Sequence, residues 1–213
     1  MAKFFNPDSP LMRFMTKVAD LIVLNILFLV TCLPVFTIGA ALTGLYAVTL
    51  KMVRDQEGAI ARSYFRAFRQ NFRQATLLWL GVLVLGVIFL MDIRILNTVA
   101  ADWAVGLKLL VEVLAVLMLA VLQYLFALVA RFEASLGAYL KDACLMALAY
   151  LPKTALMTGA VIGAVYLSLL NNLTISIAIA AWPMLGFALL AFGNSGILAK
   201  IFDDFLREFP QNS

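Results

Sequence analysis

The distribution of Lys and Arg constrains this chain more than any other feature. The sequence of 213 residues is 64% hydrophobic and only 13% charged, and its basic residues fall into a few short segments between long apolar runs. Basic connections alternate with connections that contain neither Lys nor Arg. This alternation is typical of a protein that crosses a membrane several times and keeps its basic loops in the cytoplasm.

Six apolar segments are long enough to cross a bilayer, which takes about 20 helical residues. With six crossings, every basic residue except Arg94 and Lys108 falls on one side, whereas five crossings would place one basic segment outside. The sequence therefore predicts an all-α bundle of six transmembrane helices, in one integral membrane domain over residues 1–213, with both termini cytoplasmic. The predicted spans are 13–32, 38–53, 75–97, 103–130, 153–170 and 174–200.

The two largest basic connections, at about 55–74 and 131–152, are predicted to be amphipathic helices. In the first, four arginines spaced four, three and four residues apart form one stripe on a helix, and Ala61 with three phenylalanines forms a second stripe nearby. One interpretation is an anchor on membrane lipid, and another is a docking helix for a cytoplasmic partner. The candidate docking residues are Arg62, Phe65, Arg66, Phe68, Arg69, Phe72 and Arg73.

Polar residues inside a membrane are costly, so each is a candidate for function. The candidates within the predicted spans are Asn25, Glu112, Gln123 and Asn194. The amides are expected to form hydrogen bonds between helices, and Glu112 is expected to pair with Lys108 four residues earlier. Glycines within the spans, such as Gly81 and Gly159, are expected to let helices approach closely.

The residue inventory offers little for catalysis. There is no histidine, and Cys32 and Cys144 are predicted on opposite sides of the membrane, where they cannot form a disulfide. No zinc or haem ligand set, P-loop or catalytic constellation is apparent. We therefore expect no enzymatic activity and no cofactor. The positive charge indicates contact with lipid headgroups rather than nucleic acid, and the first ten residues do not have the pattern of a cleavable signal.

Several motifs in the first 80 residues resemble the YesL-like integral membrane proteins of Gram-positive bacteria. The motifs are FNPDSPLMRF at 5–14, LPVFTIGA at 33–40, KMVRD at 51–55 and FRQNFRQAT at 68–76. The function of this family is unknown, and its members are often encoded beside carbohydrate ABC importers. The resemblance implies a bacterial plasma membrane and a place in sugar uptake, and it supplies no catalytic residues.

The leading hypothesis from these observations is a non-enzymatic accessory or assembly subunit of a bacterial carbohydrate ABC importer, in contact with its permease or ATPase subunits. The alternatives are an autonomous small-solute transporter or channel, formed by one bundle or a homo-oligomer, and a membrane sensor. A transporter needs a polar path at the midplane, for which the sequence offers mainly Asn25, Gln123 and Asn194.

Overall fold

The computed structural model describes residues 10–98 and 102–208, and within these ranges the chain is helical with no β-strand. The connections include a short 3₁₀ turn at Val35–Thr37. A π-helical turn at Trp182–Gly186 joins the last two α-helices into one continuous rod. The α-helices are α1 (Pro10–Cys32), α2 (Ile38–Met52), α3 (Ile60–Leu96), α4 (Asp102–Arg131), α5 (Leu136–Ala149), α6 (Leu151–Ser168), α7 (Asn172–Ala181) and α8 (Phe187–Glu208).

Six helical stretches among the described residues are long and apolar enough to cross a membrane, which confirms the predicted all-α bundle and its number of spans. Helices α1, α3, α4 and α6 each provide one, the 3₁₀ turn with α2 provides another, and α7 with α8 provides the sixth. Helix α5, with 14 residues, is shorter than a span. The chain is therefore a polytopic helical membrane protein.

Helix α3 differs from the prediction, which separated an amphipathic helix at the membrane surface from the third span. The two are one continuous helix of 37 residues, because no proline or other break lies between its basic and apolar parts. A helix of this length measures about 55 Å, against about 30 Å for the hydrocarbon core. The arginine-bearing first half therefore continues outside the hydrocarbon region as an extension of the span.

Helix α5 occupies the second predicted amphipathic connection. The side chain of Ser135 caps its first turn by accepting a hydrogen bond from the backbone N–H of Ala138 at 3.3 Å. Tyr139 lies on its buried face. The opposite face carries the exposed apolar residues Leu145 and Leu148, so this helix is less amphipathic than predicted.

Ion pairs gather five helix termini at one end of the bundle, which we call the basic end. Lys17 near the start of α1 contacts Asp55, just after α2, at 2.5 Å. Arg54 after α2 and Arg131 at the end of α4 both pair with Asp203 near the end of α8. Lys153 at the start of α6 pairs with Asp204 of α8 at 3.5 Å. The charged helix ends thus lie together at one end of the bundle, as the alternation of basic connections with connections lacking Lys and Arg predicts.

Helix α2 forms the centre of the core, and most of its side chains are buried. It packs closely on α3 because two of its glycines lack a side chain. A Cβ on Gly39 would collide with the backbone oxygen of Ala75, and a Cβ on Gly44 would lie 2.9 Å from the ring of Tyr64. By contrast, the predicted close approaches at Gly81 and Gly159 do not occur, since no atom lies within 4 Å of a Cβ placed there.

The halves of the helices remote from the basic end are loosely packed. Leu90 of α3, Leu109 of α4, Leu167 of α6 and Ile179 of α7 are each at least 60% exposed. Exposed apolar side chains on this scale are stable when lipid replaces water as the solvent. Cys32, at the end of α1, and Cys144, on α5, are both free thiols.

Candidate functional site

Asn25 lies at the contact between α1 and the π-helical turn, where it is fully buried. Its side-chain nitrogen donates to the backbone oxygens of Trp182, at 3.0 Å, and Pro183, at 2.6 Å. Its side-chain oxygen accepts from the backbone N–H of Ala188 at 2.9 Å. A π turn and a proline both disturb the regular helical hydrogen bonds. Asn25 therefore connects α1 to the backbone of this irregular turn and of the start of α8.

Gln123 and Asn194 meet in a second buried cluster. Asn194 on α8 donates to the side-chain oxygen of Gln123 on α4 at 2.8 Å. The side-chain nitrogen of Gln123 donates to the hydroxyl of Thr158 on α6 at 3.0 Å. Tyr46 of α2 also interacts with Asn194 through its side chain. The predicted interhelical hydrogen bonds thus exist and connect four spans, with all four side chains at most 6% exposed.

Two further pairs of hydroxyl groups connect helices in this region. The hydroxyls of Thr49 on α2 and Ser195 on α8 lie 2.7 Å apart, and those of Tyr124 on α4 and Thr154 on α6 lie 2.8 Å apart. Hydroxyl residues can bond to their own helix, as Thr49 also does to the oxygen of Leu45. They therefore give no clear sequence signal of contact between helices.

An apolar cavity of about 340 Å³ lies beside this second cluster. Its polar lining includes Gln123 and Asn194, and its walls come from aromatic and aliphatic side chains of six helices and the π turn. Among them are Phe28, Trp79, Phe126, Val165 and Phe187. Because the two amides already bond to each other, the cavity offers an apolar ligand space with few free polar groups.

Glu112 stands apart from both clusters. It is exposed on α4, with its carboxylate 3.9 Å from the Lys108 ammonium group. Lys108 also donates to the side-chain oxygen of Asn97 at 2.8 Å. The predicted pair is therefore present, and it links the facing ends of α3 and α4 instead of joining the buried polar residues.

The arginine stripe of α3 is exposed along its whole length. Arg62, Arg66, Arg69 and Arg73 form no ion pair within 4 Å to any described residue. The expected aromatic stripe is only partly right, because the face of α3 that enters the core is centred on Tyr64.

The aromatic candidates occupy the border between the core and the exposed face. Phe65 is 39% exposed and touches the ring of Tyr64 edge-on. Phe68 and Phe72 are half-buried and pack on each other, with ring centroids 5.5 Å apart. Phe65 is therefore the aromatic residue of this set most available to a partner.

The stripe divides into two parts at the basic end. Arg69 and Arg73 border an open cavity of about 750 Å³, whereas Arg62 and Arg66 lie outside it. The other wall of this cavity is the end of α4 with the connection to α5, including Arg131, Phe132 and Glu133. We call this space the arginine cavity, and we call Arg62, Phe65 and Arg66 the outer face of α3.

Fixed contacts shape the arginine cavity. Tyr139, buried on α5, donates to the backbone oxygen of Phe132 at 2.8 Å and accepts from the N–H of Ala134 at 3.0 Å. Arg131 lies within 6 Å of the ring centres of Phe132 and Phe202, a cation–π arrangement. The wall opposite α3 is therefore held in place by contacts within the protein.

Among the described residues, no group of three or more His, Cys, Asp or Glu side chains is placed to bind a metal ion. Outside the spans, the side chain of Lys17 lowers the pKa of Asp55 by hydrogen bonding and by its charge.

The fold and its buried polar contacts define a polytopic α-helical membrane protein. Residues 21–93 match the family model described as "Protein of unknown function, DUF624". The matched region contains Asn25, Gly39 and the complete arginine stripe of α3. Comparison with curated proteins and with solved structures gives no match.

Proposed function

We propose that this protein is a non-enzymatic accessory or assembly subunit of a bacterial carbohydrate ABC importer. It would sit in the plasma membrane with its basic end, and so both termini, toward the cytoplasm, as the positive-inside rule favours. The observation that carries the proposal is the outer face of α3, where Arg62 and Arg66 have no ion-pair partner among the described residues.

The chemistry of this face suits a protein partner. Arginine and aromatic residues are enriched in protein interfaces, and the exposed Phe65 lies beside Arg62 and Arg66 on α3. The face lies on the part of α3 that extends beyond the hydrocarbon core, where the ATPase or the cytoplasmic loops of a permease would be within reach. The carbohydrate importer itself is taken from the resemblance to YesL-like proteins.

The buried amides favour this role over transport. Asn25 forms its hydrogen bonds with the backbone of the π turn and of the start of α8, and Gln123 and Asn194 bond to each other. A transport path needs polar groups that exchange partners with a solute. Residues already satisfied by the protein serve better as fixed contacts between helices.

The alternative is an autonomous small-solute transporter or channel, and one observation favours it. The apolar cavity of about 340 Å³ lies between the spans and reaches Gln123 and Asn194. A largely apolar solute would be the ligand that such a cavity accepts. A charged or highly hydroxylated solute would find few free polar partners there.

Purification of the tagged protein from its host in mild detergent, followed by mass spectrometry, tests the proposal. We expect stoichiometric recovery of an ABC permease or ATPase with the unmodified protein, and its loss with the double variant Arg62→Glu/Arg66→Glu. Lys141→Glu is the matched control, since this exposed residue of α5 lies outside the stripe.

Insertion of each variant is checked by cysteine accessibility, because charge reversal could also disturb topology. Undiminished copurification with the double variant would refute docking through the outer face. Recovery of the chain alone, repeated in native nanodiscs, would refute the accessory role and favour the autonomous transporter.

A further inference from the structure

The arginine cavity carries an inference that is separate from docking through the outer face. Three guanidinium groups, of Arg69, Arg73 and Arg131, border this space, against the single carboxylate of Glu133. Neither Arg69 nor Arg73 has an ion-pair partner within 4 Å among the described residues. The cavity therefore holds an excess of positive charge that the described part of the chain leaves unneutralised.

Arg131 adds to this excess although it has a partner. Asp203 pairs with both Arg131, at 3.4 Å, and Arg54, so one carboxylate serves two guanidinium groups. The stacking of Arg131 against Phe132 and Phe202 fixes its position. An arginine held in place and only partly neutralised, across from two exposed arginines with no ion pair among the described residues, is suited to hold an anion.

Neutral hydrogen-bonding groups complete the lining. Gln70, Asn71, Gln74 and Tyr139 also line the cavity, and the amide of Asn71 has one N–H bonded to the backbone oxygen of Ala67. Guanidinium groups match the oxygens of a phosphate in pairs, and amide N–H groups can bond to the remaining oxygens or to an attached polyol. The volume of about 750 Å³ lies within the usual range for small-molecule sites.

The cavity also has an apolar side. Phe72, Val129 and Ala130 line it, and the apolar part of α3 begins just after Gln74. A ligand here would place its charge among the arginines and could extend an apolar portion toward the span. A lipid headgroup has this combination, and a soluble phosphate ester has only its polar half.

From this arrangement we infer that the arginine cavity is a binding site for a phosphate group carried by an anionic lipid headgroup or by a small soluble phosphate ester. Arg69 and Arg73 bind the phosphate, and Arg131 holds it from the opposite wall. Arg62 and Arg66 share the stripe but lie outside the cavity and take no part in this site.

Equilibrium binding of fluorescent phosphatidylglycerol to the purified full chain in a non-ionic detergent tests the inference. We expect Arg69→Gln/Arg73→Gln to weaken binding by at least about tenfold, which corresponds to about 1.4 kcal/mol, because the charge-assisted hydrogen bonds to the phosphate are lost. The matched control is Arg62→Gln/Arg66→Gln, which removes the same charge from the same helix and should leave the affinity nearly unchanged.

Competition with glycerol 1-phosphate distinguishes the two sources. Displacement of the labelled lipid shows that the site accepts a soluble phosphate ester, and failure to displace it shows that the lipid is the ligand. Equal weakening by the two double variants would show that binding depends only on the general surface charge, and this result would overturn the inference. The absence of binding would also overturn it. Because docking is tested at Arg62 and Arg66, either proposal can fail without the other.

Discussion

Replacing Asn25 by alanine should destabilise the bundle more than a truncation at any neighbouring lipid-facing position. The substitution removes three hydrogen bonds, to the oxygens of Trp182 and Pro183 and from the N–H of Ala188. Side-chain hydrogen bonds in membrane proteins average about 0.6 kcal/mol and reach about 1.7 kcal/mol. Three of them give an expected loss of about 2–5 kcal/mol in the free energy of unfolding.

The free energy of unfolding can be measured by titrating detergent-solubilised protein with sodium dodecyl sulfate and following helicity by circular dichroism. Ile26→Ala is the matched control, because Ile26 is the next residue of α1 and is 51% exposed. Its truncation should change the unfolding free energy by less than about 0.5 kcal/mol. A loss for Asn25→Ala no larger than that of the control would refute the assignment.

A double-mutant cycle with Pro183→Ala tests the physical reason. Without proline, the turn can regain regular helical hydrogen bonds, and its backbone groups then need Asn25 less. We expect the cost of Asn25→Ala to fall by at least about 1 kcal/mol in this background. An unchanged cost would show that Asn25 acts independently of the irregular turn.

Two further expectations concern packing and charge. Gly39→Ala should destabilise the bundle by about 1–3 kcal/mol in the same titration, because its Cβ would overlap the backbone oxygen of Ala75, while Gly81→Ala, which meets open space, should not. An equal effect of the two substitutions would contradict the close packing of α2 on α3. Because Lys17 lowers the pKa of Asp55, this pair should stabilise the fold above the ordinary carboxyl pKa of about 4 and lose its effect as the pH falls through the lowered pKa. Asp55→Asn should therefore lower the melting temperature at neutral pH but not in strong acid, and asparagine suits the positive φ of 53° at this position.

The sequence predicted the features that depend on composition along one helix. Apolar length gave the six spans, and the alternation of basic connections anticipated the common end at which Arg54, Arg131 and Lys153 meet their acidic partners. The pairing of Lys108 with Glu112 also followed, since residues four apart on a helix are neighbours whatever the fold. Periodicity likewise located the arginine stripe.

The glycines illustrate where prediction from sequence ended. Gly39 and Gly81 are both glycines within spans, yet only Gly39 lies against another backbone. Which glycine is needed for close packing depends on where two helices cross, and the sequence of a single helix does not show where that crossing lies. The separate surface helix expected before residue 75 failed for a related reason, because a change from basic to apolar composition does not by itself interrupt a helix.

The sequence alone thus determined that this chain is a helical membrane protein with a basic end and a stripe of four arginines. Hydropathy and helical periodicity are properties of contiguous residues, so they can be determined from the sequence without a structure. Only the tertiary structure decided that Asn25 forms hydrogen bonds with a π turn more than 150 residues away in the chain. It also decided that Arg131 lies across one cavity from Arg69 and Arg73. Such contacts join distant parts of the chain, and they exist only once the helices have packed.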